Sequence, residues 1–600
     1  MIVNDVSLRF FSNLLRMKNR FWLFLFFLFA SNTLCAQDIP VSVNYSKVYD
    51  FVDELATDGL FELNSAVKPY SREFIAAKLL EAQAQIDVLN HRQRDELRFY
   101  LNEFALERNE LPSTRLNLVQ NATTSLSFLQ PAVHYKDDIL RARLTPILGM
   151  TISRNSNGVL TNRWYGAEFQ AMMGKHLSVF GSLRDISMAG PVVGGVFMAR
   201  LSGPSYLNDL PGYQYKEATY GGDFSDSRGG VKYGWKWGSL GLVKENVVWG
   251  DNNHGSNILS GRTPSFPMLT LRLSPSNWFE MNYIHGWLVS NVIDSSQHYT
   301  NNIGTQSYRM KNKFIAANFF TITPLKNLKF SFGNSIIYAE QNVQAAYLIP
   351  IGFYKSMDHT MTKGLALENQ NSQLFLNVSS RNIKHLHLYA SVYADEIMFS
   401  RFSPSSPDKN PISYKAGARL VNFPISNLSL VGEFTHNNII CYKHTVPALT
   451  WASNSYNLGS YLGDNSEEIY LALKYKPLRG LDVTLTYLNA VHAGEYAYIN
   501  RDNDGVNVIT KIISQPQVGS GAKPTWTNQT ISLGAQYELF NNAYATVNVS
   551  MSDIKGYDNA NVNPVVGEYV ATSQAYLDRF TPRYLQGKQT TISVGFSLGF

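Results

Sequence analysis

The C-terminal stretch Thr591–Phe600 places the tightest limit on the fold of this chain. Apolar and small residues alternate through it, so that one face carries Ile592, Val594, Phe596, Leu598 and Phe600. Successive side chains of a strand point to opposite faces. A flat apolar face at the edge of a soluble sheet invites aggregation, whereas in a transmembrane barrel that face meets lipid and closure removes the edge. The stretch therefore predicts the closing strand of a membrane barrel, with a terminal aromatic residue typical of outer-membrane barrels.

The same two-residue period recurs from about residue 138 onwards. Clear examples are Val231–Trp237, Leu269–Ser274, Ile469–Tyr475 and Ile531–Tyr537. Eight short turns, several built on Pro and Asn, alternate with longer polar segments such as 289–310 and 339–369. Together they predict an all-β transmembrane barrel of about 18 antiparallel strands. A soluble multi-sheet β protein would explain the alternation, but not the one-sided loop lengths.

The N-terminus has the pattern of a secretory signal peptide. An apolar run, Phe21–Ala30, follows Lys18 and Arg20 and precedes small polar residues. We expect residues 1–36 to be the signal peptide, with cleavage after Ala36. A lipoprotein anchored through Cys35 is the alternative. Export and a barrel together predict an integral protein of the outer membrane.

Residues 37–112 differ from the rest of the chain, because their apolar residues follow a helical spacing. Ser71 and Asn90 are candidate N-caps for two of the helices. We therefore predict a small N-terminal α-helical bundle on the periplasmic side. Residues 113–137 form a connecting segment, and the barrel takes up residues 138–600.

Composition and motifs argue against catalysis and against several classes of partner. The net charge is only +6, and charged residues make up 16% of the chain, which does not indicate a nucleic-acid partner. Without the signal peptide, Cys441 is the one cysteine, so neither a disulfide nor a cysteine metal site is expected. Asp502–Gly505 resembles the start of a calcium loop but lacks the later glutamate, and His385 and His387 fit an ordinary pair on the barrel wall. We expect no enzyme activity, no metal and no cofactor.

One long loop, from Val248 to Phe266, concentrates the residue types that bind sugars. Amide, carboxylate and guanidinium groups pair with hydroxyls, and an aromatic ring stacks on the apolar face of a sugar. Equally, the loop could fold against the barrel mouth, with these groups bonding one another. The candidate glycan-binding residues are Trp249, Asp251, Asn252, His254, Asn257 and Arg262.

Two features of the chain carry a resemblance to a known family. One is the order of a helical N-terminal piece and about eighteen strands, over nearly the whole mature chain. The other is a set of local stretches: Lys68–Arg72, Gln93–Leu97, Asn257–Arg262, Pro264–Pro267 and His285–Trp287. In these features the chain resembles the Wzi-like capsule-assembly proteins of the bacterial outer membrane, in the style of members from Bacteroidetes.

This resemblance implies a non-enzymatic lectin that binds capsular or other surface polysaccharide and helps to assemble or anchor the capsule. Its expected contacts are that polysaccharide and outer-membrane lipid. Two alternatives stay open. One is a scaffold for adhesion or gliding motility. The other is a porin-like channel, with Lys232, Lys236, Arg272 and Lys474 as lumen charges.

Overall fold

Eighteen antiparallel strands follow one another along the chain and form the wall of a closed barrel. They are β1 (Leu140–Asn155), β2 (Gly158–Met173), β3 (Leu177–Ala189), β4 (Gly221–Trp235), β5 (Gly238–Glu245), β6 (Phe266–Ser276), β7 (Phe279–Thr300), β8 (Gln306–Leu325), β9 (Leu328–Tyr338), β10 (Gln370–Ile383), β11 (Leu386–Ala394), β12 (Ile412–Val421), β13 (Leu428–Asn437), β14 (Ser466–Leu478), β15 (Leu481–Ala493), β16 (Pro524–Phe540), β17 (Ala543–Gly556) and β18 (Gly587–Leu598). The predicted fold class and strand number are confirmed.

This computed structural model describes residues 38–43, 47–113, 116–117, 123–127, 131–190, 196–199, 203–206, 216–218, 221–362, 370–395, 397–403, 410–444, 446–454, 456–494, 518–519, 522–563 and 567–599. The predicted signal peptide with Cys35, the turn Asp502–Gly505 and the terminal Phe600 lie outside the described residues. Within the described part of the chain, no helix is both long and apolar enough to cross a membrane.

The barrel closes where β18 pairs with β1. The antiparallel ladder runs from Ile592 opposite Arg154 to Leu598 opposite Leu148. Beyond the end of β18, the short strand Ala132–Lys136 pairs with the same edge of β1. The alternation read from the sequence holds in three dimensions, because Ile592, Val594 and Phe596 are exposed on the outer face at 52%, 54% and 42%.

At one end of the barrel every connection between strands is short, whereas at the other end most connections are longer and the two-residue turn 156–157 between β1 and β2 is an exception. The short turns of the first end are 174–176, 236–237, 277–278, 326–327, 384–385, 422–427, 479–480 and 541–542. Asn327, Asn427 and Gly480 have positive φ angles of 59°, 67° and 78°, a conformation that Asn and Gly adopt at low cost. The eight turns that the sequence predicted are therefore present.

The segment 289–310 differs from its expectation as a long polar loop. It is mostly strand, because β7 continues to Thr300 and β8 begins at Gln306. Two register shifts, between Val289 and Ile293 and between Asp294 and His298, let the polar residues stay paired beyond the apolar band. Polar composition alone does not separate such a protruding hairpin from a loop.

Helices and short strands occupy the N-terminal region and the loops. The helices are α1 (Val48–Thr57), α2 (Arg72–Gln83), α3 (His91–Glu103), α4 (Tyr354–Thr362) and α5 (Ser573–Phe580), with 3-10 turns at Ile86–Val88, Ala345–Leu348, Phe399–Phe402, Pro447–Leu449 and Arg583–Leu585. The short strands are Val67–Lys68, Leu116–Asn117, Thr124–Ser127, Ala132–Lys136, Val196–Ala199, Gly203–Tyr206, Lys216–Ala218, Val248–Trp249, Leu259–Ser260, Ala452–Ser453, Tyr456–Asn457, Asn559–Asn563 and Gly567–Ala571.

Helices α1, α2 and α3 pack around a hydrophobic cluster of their own. The hydroxyl of Ser71 accepts a hydrogen bond from the Phe74 N–H at the start of α2. Asn90 and Gln93 form a capping box at the start of α3. Phe51 and Leu97 are fully buried in the cluster, as the helical spacing predicted.

Buried ion pairs join α1 to the inner wall of the barrel. Asp53 lies 2.6 Å from Arg381 Nη2 and 3.0 Å from Arg419 Nη1. Asp50 lies 2.6 Å from Arg419 Nη2 and 2.9 Å from Lys476 Nζ. These cations lie near the short-turn ends of β10, β12 and β14, so the helices occupy that end of the barrel.

The charges on α1 are stabilised by these partners. Burial opposes ionisation of Asp53, but the charges of Arg381 and Arg419 outweigh it and hold the pKa of Asp53 below its usual value. For Asp50, Lys474, Lys476 and Arg419 likewise outweigh burial and lower the pKa well below the usual value. Both carboxylates therefore stay charged at neutral pH, although they are enclosed.

Three of the four lumen cations named for a channel are paired. Lys232 Nζ lies 2.6 Å from Asp38, Arg272 Nη2 2.9 Å from Glu280, and Lys474 Nζ 3.1 Å from Asp50. The fourth, Lys236, lies in the short turn after β4. The charges thus bind neighbouring protein groups, two of them in the N-terminal region.

Replacing Arg419 with Met should loosen the helices from the wall. It removes one of the cationic partners of both Asp50 and Asp53, and breaking a buried ion pair by removing one partner typically costs about 3–5 kcal/mol. We expect the chain to unfold at a lower urea concentration, and protease to cleave faster within residues 48–103. Arg98→Met, at an exposed helix position, should change the stability by less than about 0.5 kcal/mol. Equal cleavage of the two variants would contradict a clamping role for Arg419.

Low pH should weaken the contact between α1 and the barrel wall. Because the pKa values of Asp50 and Asp53 are lower in the folded chain than in the unfolded chain, their contribution is complete above about pH 4 and is lost as the pH falls further. Protease cleavage of the helices should stay constant from pH 7 to about pH 5 and rise below about pH 4. A loosening centred near neutral pH would show that other groups control the contact.

Candidate functional site

The connection between β5 and β6, residues 246–265, folds into the lumen. Val248 and Trp249 pair with Lys68 and Val67 of the N-terminal region. On their other side they pair with Ser260 and Leu259 of the same loop. A small three-stranded sheet therefore joins the N-terminal region to the loop inside the barrel.

Trp249 is part of the lumen core. Its ring is 1% exposed and stacks on Phe319 of β8, with the ring centroids 5.3 Å apart and 9° between the planes. Phe375 of β10 meets it edge-on at 6.3 Å. In this conformation both rings cover the indole, so its direct contribution is packing.

Asp251 and Asn257 are also buried and fully engaged with neighbours. The Asp251 carboxylate accepts hydrogen bonds from Ser65 Oγ and, at 2.8 Å, from Asn377 Nδ2. Asn257 Nδ2 donates to the Ser413 carbonyl at 3.1 Å, and Asn257 Oδ1 accepts from Ser391 Oγ at 2.6 Å. These bonds fix the loop to β10, β11 and β12.

The remaining three candidates are half-buried. The His254 ring stacks on Tyr470 of β14, with centroids 4.2 Å apart and 11° between the planes. Arg262 Nη2 donates to the His254 carbonyl at 3.0 Å, and its guanidinium lies 4.8 Å from the centre of the Tyr461 ring. Asn252 bonds within its own loop, to the Gly250 carbonyl at 2.8 Å.

A buried carboxylate, Glu433 of β13, holds the tip of the loop. It accepts hydrogen bonds from the backbone N–H of Asn253 at 2.6 Å and of His254 at 2.8 Å. Lys415 Nζ lies 3.0 Å away and balances its charge. Burial lowers the pKa of His254 well below its usual value, and the nearby charges of Arg262 and Lys415 lower it further. His254 is therefore neutral at pH 7 and has one donor and one acceptor nitrogen.

The structure thus brings Asn252, His254 and Arg262 together at a polar surface that Tyr461 and Tyr470 complete. Neither tyrosine was among the sequence candidates. Both lie about two hundred residues further along the chain, and no motif connects them to the loop. Only the barrel register brings β14 beside the loop.

The opposite half of the lumen wall is solvent-accessible and rich in hydroxyl groups. Ile531 and Leu533 point outward, so their strand neighbours point inward. The half-buried inward residues of this wall include Thr484, Thr486, Thr530, Ser532, Thr546, Asn548, Ser550, Ser593, Thr151 and Ser153. At the long-loop end, Phe580 of α5 packs on Trp526 of β16, so protein covers this half of the mouth.

A closed barrel of eighteen strands with an apolar outer face is the architecture of an integral β-barrel of the bacterial outer membrane. The sequence model of the family described as capsule assembly protein Wzi matches residues 205–564. The chain belongs to this Wzi capsule assembly family, and it is an integral outer-membrane protein. A search of curated proteins finds no match.

Solved structures include similar barrels. One is Wzi of Escherichia coli, described as an outer membrane protein involved in group 1 capsule assembly and as a carbohydrate-binding β-barrel. It shares 11% identity with a TM-score of 0.51, over 94% of this chain and 100% of that chain. Another is OprD of Pseudomonas aeruginosa, with 11% identity and a TM-score of 0.37, over 79% of this chain and 96% of that chain. At 11% identity, the likeness to the E. coli Wzi structure shows the fold.

Two substitutions should separate packing residues from surface residues in the loop. Trp249→Ala removes a buried, stacked ring and should lower the free energy of unfolding by about 3–5 kcal/mol. Asn252→Ala removes a half-buried amide and should cost less than about 1 kcal/mol. Both losses of stability are measured by urea titration. The folded fraction at each urea concentration is read on a gel, where the folded barrel and the heat-unfolded chain migrate differently. A small loss for Trp249→Ala would show that the loop is not a packed part of the lumen.

Proposed function

We propose that this chain binds surface polysaccharide at the outer membrane and anchors or helps to assemble the capsule, without enzymatic activity. The observation that carries the proposal is the half-buried surface formed by Asn252, His254, Arg262, Tyr461 and Tyr470. Its amide, imidazole, guanidinium and phenol groups supply donors and acceptors for sugar hydroxyls, and its rings offer apolar faces. Membership in the Wzi family and the description of the E. coli protein support the same function.

In this proposal the six sequence candidates divide into two roles. Asn252, His254 and Arg262 contact the glycan. Trp249, Asp251 and Asn257 are positioning residues, because their side chains are buried and hold the loop against the wall. A glycan contact with the buried three would need the loop to move.

The proposed orientation follows the general rule that outer-membrane barrels keep their short turns on the periplasmic side. Residues 37–112 would then form a helical bundle at the periplasmic mouth, and 113–137 would connect it to the barrel at 138–600. The long loops would face the cell exterior, where the polysaccharide is. The ion pairs of α1 support a bundle that stays docked.

The hydroxyl-lined half of the lumen is the observation that favours the channel alternative. Passage of solute would require the N-terminal helices to leave the short-turn end, where Tyr100 of α3 donates to Glu538 of β16 at 3.2 Å. It would also require α5 to leave the other end. The docked arrangement favours the binding protein.

Removing the polar contacts should weaken binding while the barrel stays folded. We expect His254→Ala and Arg262→Ala each to reduce affinity for the host's purified capsular polysaccharide by roughly tenfold, the effect of one or two lost hydrogen bonds. Asn382→Ala, in an exposed residue at the short-turn end, is the matched control and should bind like the parent. Calorimetry with the detergent-solubilised protein measures the affinity, and the gel shift on heating verifies the fold.

Unchanged binding in both loop variants would remove this surface from the site. In the native host, deletion of the gene should release polysaccharide into the medium while total synthesis stays constant. Polysaccharide retained as in the parent strain would overturn the capsule function and favour the adhesion or motility scaffold.

A further inference from the structure

Part of the outer face of strands β7, β8 and β9 is buried, as their lumen faces are. In β9, Phe330 and Phe332 are exposed on the outer face, and the same face continues with Asn334, Ile336 and Tyr338, which are buried. The neighbouring strands repeat the pattern. Register places Phe314, Ala316 and Asn318 of β8 beside these residues, and all three are buried. Another part of the chain therefore covers the outer surface of the barrel at these residues.

The cover is part of the connection between β9 and β10, residues 343–357, which we term the outer-wall segment. Its Tyr347 and Tyr354 are fully buried and join the cluster formed by the outer faces of β7, β8 and β9. The rings of Tyr338 and Tyr347 lie 4.9 Å apart. The sequence indicated a polar loop at 339–369, whereas this part of it is apolar and lies against the outer wall.

Two outward-facing asparagines bind the backbone of the outer-wall segment. Asn318 Nδ2 donates to the carbonyls of Pro350 at 3.1 Å and Gly352 at 2.8 Å. Asn334 Oδ1 accepts from the Tyr354 N–H at 2.9 Å, and its Nδ2 donates to the Gly352 carbonyl at 3.2 Å.

A third group, the hydroxyl of Tyr283 in β7, donates to the Tyr347 carbonyl at 2.9 Å. The wall thus bonds the carbonyls of Tyr347, Pro350 and Gly352 and the N–H of Tyr354. Irregular backbone is tolerated at the depth of the hydrocarbon only where it is buried against protein, and these hydrogen bonds hold the backbone of the outer-wall segment against the barrel.

The other face of the outer-wall segment is apolar and exposed. It presents Leu348, Ile349, Ile351 and Phe353, and Ile351 is 71% exposed. This face is continuous with the exposed apolar band of the barrel, which includes Phe330, Phe332, Leu374 and Leu376.

The depth of Asn334, which binds the outer-wall segment, agrees with a position within the membrane. From Leu328, at the short-turn end of β9, to Asn334 a tilted strand rises by about 15 Å along the barrel axis. The apolar band of such barrels is about 25 Å tall. Asn334 therefore lies within the band, in the half towards the long loops.

We propose that residues 345–353 of the outer-wall segment are embedded in the outer leaflet and contact the acyl chains of membrane lipid. The polar flanks fit this position, since Gln341 and Asn342 precede the apolar stretch and Lys355 and Ser356 follow it, all of them at least partly exposed. Burial of the four exposed apolar side chains in hydrocarbon stabilises the segment, whereas the same patch in water would be costly. This interaction surface is independent of the proposed glycan function.

Spin labels at single introduced cysteines test the proposal. Cys441 is buried and should not react with the label, so the parent chain carried through the same labelling reaction serves as the blank. The mature protein with Ile351→Cys, Leu376→Cys or Ile303→Cys is labelled and reconstituted into phosphatidylcholine vesicles. Leu376 lies on the outer wall, and Ile303 lies in the turn after β7 with 85% exposure. Power saturation with oxygen, which concentrates in hydrocarbon, and with a water-soluble nickel chelate reports the depth of each label.

The expected ratio of oxygen to nickel collisions at position 351 equals that at position 376 and is several-fold higher than that at position 303. A ratio at 351 equal to that at 303 would overturn the proposal and place the segment in water. Shielding of position 351 from both reagents would also overturn it, because the surface would then be covered by protein, such as a second copy of this chain.

A second variant tests whether the hydrogen bonds of Asn334 hold the outer-wall segment in place. Asn334→Ala in the Ile351→Cys background should increase the mobility of the label at position 351 and its access to nickel. The same substitution in the Leu376→Cys background should leave the label unchanged. If Asn334→Ala does not fold, as judged by the gel shift on heating, the depth measurement on the parent background still decides the proposal.

Discussion

The requirement that every backbone N–H and C=O group in hydrocarbon finds a partner governs this structure. Closure of β18 on β1 satisfies the two edges that an open sheet would leave. Strand β1 is longer than its contact with β18, and the short strand Ala132–Lys136 pairs with the remaining edge near the short turns. In the outer-wall segment, the side chains of Asn318 and Asn334 hydrogen-bond part of the irregular backbone and hold it against the barrel.

Inside the barrel, charge and packing replace water over much of the lumen. The carboxylates of α1 neutralise cations that β10, β12 and β14 present at the short-turn end. The loop 246–265 then fills the middle with an aromatic core around Trp249. A barrel of this size could enclose a water-filled channel. Here the N-terminal helices and the loop use the same wall as a packing surface, which leaves polar groups exposed only where packing stops.

The candidate glycan surface lies at that boundary. Asp251 hydrogen-bonds to the wall and to Ser65 of the N-terminal region, and Asn257 hydrogen-bonds to the wall. Glu433 holds the loop tip through backbone N–H groups. His254 and Arg262 project beyond this fixed base and meet the rings of Tyr470 and Tyr461. A rigid base with a polar, aromatic surface limits the entropy that a binding site loses when it captures a flexible polymer.

The sequence by itself determined the barrel, its strand number, its short turns and the helix caps at Ser71 and Asn90, because each depends on local period or local backbone preference. It also located the loop that carries the candidate residues. Only the tertiary structure decided which of them are buried, since Trp249 meets Phe319 and Phe375 across the lumen. The pairing of His254 with Tyr470, and the position of residues 343–357 on the outer wall, likewise depend on strand register. The segment 339–369 was predicted to be a polar loop, although Ala345–Tyr354 within it is apolar in the sequence itself. Its position on the outer wall depends on contacts between residues far apart in the chain, which leave no periodic signal.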